Sequence, residues 1–327
     1  MSFQRILGQQ QAKKILQHGL RANKISHAYL FSGPVGTGKL QTALTFAKAL
    51  FCERLEDDCC DECLSCRKIN HGNHADVQII EPEGQSIKID QIRELQREFS
   101  YRSASSDARK IYIMKQADKM TVQAANSLLK FLEEPTSPTV AILLADNGQA
   151  MLPTIISRSQ WVPFTPLHSS QICDKLTEEG VSLTLARAAV QIVNGLDASR
   201  ELCQQNWFAE LRNVMIQLGK ETGGSVSSAL VMAQQNVFKT ELAEHVDMLF
   251  RLFHLWFRDM LNYQLNRQDS LVFIDQQELM SKMAWTRTAE GWVSCMQLAL
   301  EAEKRMRANV SPQLVLEQFL VGVQGGT

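Results

Sequence analysis

Two groups of residues in this chain have the types and spacing to do chemistry. The first is Gly33-Pro34-Val35-Gly36-Thr37-Gly38-Lys39-Leu40, directly after the apolar run Ala28 to Phe31 and directly before a helix-period stretch through Leu44 and Ala47. A strand, a glycine-rich loop and a helix in that order let backbone N–H groups and a helix N-terminus cradle phosphates, with Lys39 reaching the terminal ones. Gly33, Gly36, Gly38 and Lys39 are therefore the candidate phosphate contacts. The second group is Cys60-x2-Cys63-x2-Cys66, with Cys52 upstream as a fourth thiolate. Zn²⁺ prefers four N or S ligands, and four thiolates leave no vertex for water, so a metal held by Cys52, Cys60, Cys63 and Cys66 is structural. Cys59 adjoins Cys60, and His71 and His74 lie just downstream, so the spacing leaves each of these open as a replacement ligand.

Phosphate hydrolysis needs more than a cradle. The residue after the loop lysine should carry a hydroxyl for Mg²⁺, and here it is Leu40. Thr42 lies two residues further on, about 200° around a helix at ~100° per residue, and is a poor substitute. A carboxylate should follow a neighbouring strand. After Ile111 to Met114 the chain instead gives Lys115 and Gln116, with Asp118 three residues past the expected place. Without both ligands the nucleotide's charge is poorly compensated and its water unactivated, so hydrolysis by this chain alone is not expected. The residues leave open whether the loop holds nucleotide at all.

Composition narrows the classes further. With 34 Lys plus Arg against 35 Asp plus Glu, the formal net charge of −1 gives no global field for gripping a polyanion. Asp57, Asp58, Asp61 and Glu62 around the cysteines would repel phosphates, so the metal module reads as a staple or a protein contact rather than a nucleic-acid reader. The opening Met1 to Arg5 has no apolar stretch behind a basic start, and no window offers ~18 uncharged apolar residues. A soluble, cytoplasmic protein is expected, and in a reducing compartment clustered cysteines argue for metal over disulfides.

The elements that must position these residues follow from periodicity. The first ~165 residues alternate short apolar runs with helix-period stretches, the pattern of a parallel sheet covered by helices. Strands are predicted at Ala28 to Phe31, Val77 to Ile80, Ile111 to Met114, Val140 to Leu144 and Trp161 to Phe164. The clearest helix is Val122 to Glu133, with Thr121 as N-cap and Pro135 as its stop, and Ser100 to Ser106 reads as an exposed loop. Strand signal ends after Pro166. Ser169 to about Gln205 reads as a small helical unit, and everything from Trp207 onward as helix. Val246, Leu249, Phe250, Phe253, Trp256, Phe257 and Met260 keep helical spacing within His245 to Leu265 and make one apolar stripe, a core-facing bundle helix. A last helix is expected to start with Ser311 as N-cap and Pro312 at N1.

Several long motifs carry a resemblance. Phe3 to Leu20 with Gly8-Gln9, His27-Ala28-Tyr29-Leu30-Phe31, the glycine loop, the cysteine cluster, Asn126 through Pro135 (NSLLKFLEEP), and Ile156-Ser157-Arg158-Ser159 together look like bacterial clamp-loader ATPases of the AAA+ class. The resemblance runs over at least residues 3–166. It implies an α/β domain over 1–166, an AAA+ P-loop NTPase-like parallel sheet of five strands in the order 5-1-4-3-2 with the zinc module at 52–66. It also implies a small helical lid over 167–206 and an all-α collar over 207–327 that assembles a ring.

Motor subunits of that family, gamma and tau, keep a Ser or Thr after the lysine and an Asp-Glu pair at the strand tip. Leu40, Lys115 and Gln116 depart from both, so the resemblance implies a non-hydrolysing member of the DNA polymerase III ring. Its partners would be gamma/tau and delta subunits in a hetero-pentamer, with sliding clamp and primer-template DNA met through the complex. Arg158 stands in the family's Ser-Arg-Cys motif, where it would project into a neighbouring subunit's ATP site; Ser159 replaces that motif's Cys. Arg200 sits two residues from the place of a nucleotide-sensing lid arginine and is given no role. The alternatives are a working gamma/tau-like ATPase with unusual metal ligands and a zinc-dependent nucleic-acid binder.

Overall fold

A computed structural model describes residues 2–100, 109–133, 138–221, 224–308 and 310–325. The chain forms two compact units, Met1–His168 and Ser169–Thr327.

The first unit is built on β1 (Ala28–Ser32), β2 (Val77–Ile80), β3 (Lys110–Met114), β4 (Thr139–Ala145) and β5 (Gln160–Pro163). All pair in parallel, in the order β2-β3-β4-β1-β5, which is the expected order read from the other edge. Its helices are α1 (Gln10–Arg21), α2 (Lys39–Phe51), α3 (Leu64–Asn70), α4 (Ile89–Ser100), α5 (Val122–Glu133) and α6 (Pro153–Arg158). The central strands β1, β3 and β4 are buried on both faces, as a covered parallel sheet requires, while the edge strands β2 and β5 are partly exposed. Alternate residues divide between two cores: Leu30, Tyr112, Met114, Ala141 and Leu143 meet Ile92 and Leu95 of α4 and Leu128 of α5, while Tyr29, Phe31, Ile113 and Ile142 meet Leu16 of α1 and Phe46 of α2. In α5 the expected cap is present, since Thr121 Oγ1 accepts from Ala124 N at 3.2 Å. Pro135 and positions 101–106 of the expected loop lie outside the described residues, while Ser100 ends α4.

Strand order matters for the site. From β1 the chain crosses to the β2 edge and returns through β3 and β4 to β1's own flank, then places β5 on the other side. The loop after β1 therefore lies at the carboxyl ends of the strands where their order reverses, the place where open α/β sheets bind ligands.

The second unit contains α7 (Ser169–Glu178), α8 (Leu183–Ile192), α9 (Leu196–Gln204), α10 (Asn206–Glu221), α11 (Val226–Ala233), α12 (Val246–Gln264), α13 (Gln277–Met283), α14 (Ala289–Arg307) and α15 (Pro312–Gly325). All seven stripe residues of α12 are buried, and Leu252 and Leu255 widen the stripe until the helix is apolar most of the way round. Such a helix belongs at the centre of a bundle. Phe253 and Phe257 meet Phe319 of α15, and Phe257 stacks on Trp292 of α14. Ala188, Ala189 and Leu202 from α8 and α9 join this same core. The division at 206/207 into lid and collar is a proposal of the sequence, laid over a core that both stretches share.

Candidate functional site

The phosphate loop is anchored from β1 outward. Gly33 N donates to Ala145 O at 3.2 Å, continuing the β1–β4 ladder by one residue. Gly33 has no room for a side chain: a Cβ there would lie 2.2 Å from Phe164 O, so only glycine lets the loop pass β5. Gly36 and Gly38 take positive φ of 82° and 79°, and Gly38 is the N-cap of α2. Thr37 Oγ1 closes the turn on Pro34 O at 2.8 Å. The four predicted phosphate contacts are thus brought together in a formed cradle.

Lys39 does not extend from it into solvent. Its side chain is 9% exposed, and its ammonium donates to Gly33 O, to Pro34 O at 2.8 Å and to Asp146 Oδ1 at 2.8 Å. Sequence reasoning missed Asp146. The contact depends on the register of the sheet, in which Ser32 of β1 lies opposite Ala145 of β4 and Asp146 is the next residue.

The residues weighed as Mg²⁺ ligands have the following surroundings. Leu40 packs against the core beneath α1 and α2. The Thr42 hydroxyl is used inside α2, donating to Gly38 O at 2.8 Å. Lys115 pairs with Glu81, and Gln116 turns the backbone with φ of 49°. Asp118 accepts from the backbone of Asp146 and Asn147 at 3.3 and 3.2 Å, so its carboxylate fastens the tip of β4.

At the far end of α2, Cys52 is the C-cap and opens the cysteine module. The sulfurs of Cys52, Cys60, Cys63 and Cys66 all lie within 4.8 Å of one another. Zn–S bonds of ~2.3 Å imply a tetrahedron of edge ~3.8 Å, so the four thiolates fit a closed metal site with small adjustment. Cys63 N donates to Cys60 Sγ at 3.2 Å across a turn in which Asp61 takes φ of 60°. That N–H is the main reason the Cys60 thiol is lowered to about 6, whereas burial raises Cys66.

The open alternatives for the ligand set separate here. Cys59 is buried outside the group of four, and burial pushes its thiol up to about 11. His74 packs against Phe51 in a tilted arrangement, ring centroids 4.5 Å apart, and its Nδ1 accepts from Asp76 N, while the exposed His71 is the C-cap of α3. The acidic residues of the module act as anchors: Asp61 pairs with the buried Lys48 of α2 at 2.5 Å, Asp58 accepts from Phe3 N at 2.9 Å, and Asp57 pairs with Arg21 at 2.5 Å. Burial alone would lower Lys48, yet the hydrogen bond to Asp61 leaves it raised; Asp61 in turn is held at about 2 despite its own burial. The module is thereby tied to the phosphate-loop helix, a link that spacing did not reveal.

Arg158 ends α6, immediately before β5, with 41% of its side chain exposed. Its Nη2 pairs with Glu133 of α5 at 2.8 Å and its Nη1 donates to Thr154 O at 3.2 Å. Arg200 forms a two-pronged pair with Glu179 at 2.7 and 2.8 Å and a third bond to Asp197, so α9 is fastened to the end of α7.

Residues 8–168 match the family described as DNA polymerase III, delta subunit. The chain is 37% identical over 321 residues to DNA polymerase III subunit delta' of Bacillus subtilis, covering 97% of both proteins. It is 31% identical over 317 residues to the subunit delta' of Pseudomonas aeruginosa, 90% of this chain and 91% of that protein. To DNA polymerase III subunit tau of B. subtilis it is 34% identical over 194 residues, 58% of this chain but 34% of that protein. Likeness to tau thus stops part-way along both chains, whereas likeness to the two delta' subunits runs nearly end to end, and the chain belongs to the family of DNA polymerase III delta' subunits.

Proposed function

We propose that this delta' subunit serves its clamp loader as a non-hydrolysing ring member that lends Arg158 to the ATP site of a neighbouring gamma or tau subunit. One observation carries the first half of the reading: the phosphate cradle is formed, yet its lysine is committed to Gly33, Pro34 and Asp146, while Leu40 supplies no hydroxyl and Lys115 and Gln116 no carboxylate for Mg²⁺. The second half rests on the exposed position of Arg158 at the end of a short helix, where the guanidinium can leave an exposed ion pair at little cost. Once there, its planar fork would stabilise charge developing on the transferred phosphoryl group.

The remaining parts follow that reading. Zn²⁺ held by Cys52, Cys60, Cys63 and Cys66 has no vertex for water and stabilises the 52–66 module. The lid at 167–206 and collar at 207–327 join gamma/tau and delta subunits in a pentameric ring, which opens a sliding clamp on primer-template DNA in the cytoplasm. DNA would be met mainly in company, a reading that a net charge of −1 supports.

The test is ATP turnover by the chain alone and by the complex reconstituted with its motor subunits. No turnover is expected alone. In the complex, Arg158→Ala should slow the facing motor site by on the order of 10³-fold, read as loss of that site's share of the total rate. Mg²⁺-dependent turnover by the isolated chain, abolished by Lys39→Ala, would overturn the proposal in favour of a working ATPase.

A further inference from the structure

An ammonium has three N–H donors, and Lys39 has spent all three: on Gly33 O, on Pro34 O and on Asp146 Oδ1. None is left for a phosphate oxygen. Asp146 is not brought there by a loose loop. It follows the last residue of β4, whose partner in the ladder is Ser32 of β1, and its own backbone N–H is held by Asp118 at 3.3 Å. The next turn is fastened as well, with Gly148 N donating to Ser32 Oγ at 3.1 Å. The side chains of Lys39 and Asp146 are 9% and 32% exposed, so the pair is less screened than one on the open surface.

We infer that Asp146 is the specificity-determining residue of the phosphate loop: its carboxylate sits on the Lys39 ammonium as an internal anion and keeps polyphosphates out. A phosphoryl group entering the cradle must displace that carboxylate from the lysine and then bear its negative charge beside it. The loop thus discriminates against anionic ligands by repulsion built into the fold. This inference deepens the non-hydrolysing reading and rests on it, but it concerns binding by the isolated chain rather than the action of Arg158.

Isothermal titration of the full chain with inorganic tripolyphosphate, and separately with ATP, tests it. Asp146→Asn keeps the size of the side chain and removes its charge; Asp146→Ser is a second neutral variant should the amide disturb the strand tip. Both are expected to bind tripolyphosphate and ATP at least tenfold more tightly than the unaltered chain. Adding Lys39→Ala to either should abolish the gain, placing the new binding in the cradle. Equal affinity of both folded variants and the unaltered chain would overturn the inference, as would a gain that survives Lys39→Ala or tight tripolyphosphate binding by the unaltered chain. None of these outcomes touches the Arg158 proposal, which falls only on turnover measurements.

Discussion

Asp259 is a fully buried carboxylate on α12, and its burial makes the second unit's stability depend on pH in a direction that can be worked out. Its Oδ2 accepts from Val272 N at 2.7 Å and Phe273 N at 2.9 Å, and its Oδ1 has no hydrogen-bond partner among the described residues. Burial pushes its pKa from the ordinary 3.8 up to about 6, against the pull of the two N–H groups, Arg258 and Arg187. The folded chain therefore holds this proton more tightly than the unfolded one. Between pH 3.8 and 6 folding is progressively disfavoured as pH rises, and above 6 the whole penalty is present. At ~1.4 kcal/mol per pKa unit that penalty is on the order of 3 kcal/mol, and roughly half of it falls between pH 5 and pH 7.5. Asp259→Asn keeps an oxygen for the two N–H groups and carries no charge. Its buried amide adds a cost that does not vary with pH. Urea unfolding followed by tryptophan fluorescence reports chiefly on this unit, which holds Trp207, Trp256, Trp285 and Trp292 against Trp161 in the other. The stability of Asp259→Asn relative to the unaltered chain should rise by on the order of 1 kcal/mol between pH 5 and 7.5. A difference that stays constant with pH, or falls, would refute the reasoning.

Two further outcomes are expected. The purified chain should carry one zinc by elemental analysis, and Cys66→Ser should release it; with the module loosened, the pair between Asp61 and Lys48 is weakened, and the first unit should unfold at a lower urea concentration. Reaction of Cys52, Cys60, Cys63 and Cys66 with a thiol reagent as freely with added Zn²⁺ as without it would exclude the site. A chain ending at 168 should fold with its zinc yet fail to join the complex in size-exclusion chromatography, whereas one ending at 206 should be more protease-sensitive, because Ala188, Ala189 and Leu202 lose the core they share with α12. Equal resistance of the two truncations would show that α7 to α9 stand alone, and full-affinity entry of either into the ring would end the collar proposal.

Much of this architecture is legible in the sequence because it rests on local rules. The five strands are short apolar runs bounded by turns, and each prediction falls within one residue of the observed strand at both ends. Val122 to Glu133 and the α12 stripe declare themselves by period and caps. Cys52, Cys60, Cys63 and Cys66 are legible for another reason: ligands close in sequence need only one local turn to converge, so spacing nearly dictates geometry. Where partners are distant the sequence is silent. Lys48 reads as one more polar residue in a helix, and only the folding back of the module shows it paired with Asp61 and sealed from solvent.

The phosphate loop shows why that silence matters for function. Its residues place no hydroxyl after Lys39 and no carboxylate directly after β3, but a cradle without a metal could still bind phosphate through Lys39 alone. The carboxylate proposed to block it lies 107 residues away, just past β4, which pairs with β1. A lysine at 9% exposure with neither phosphate nor carboxylate beside it would be a poorly compensated charge. The pairing with Asp146 removes that difficulty and ties the loop to β4 at the same time. Charge compensation and exclusion of nucleotide are then one contact seen from two sides. Removing the carboxylate should weaken the fold of the loop slightly and open it to polyphosphate, two effects with a single origin.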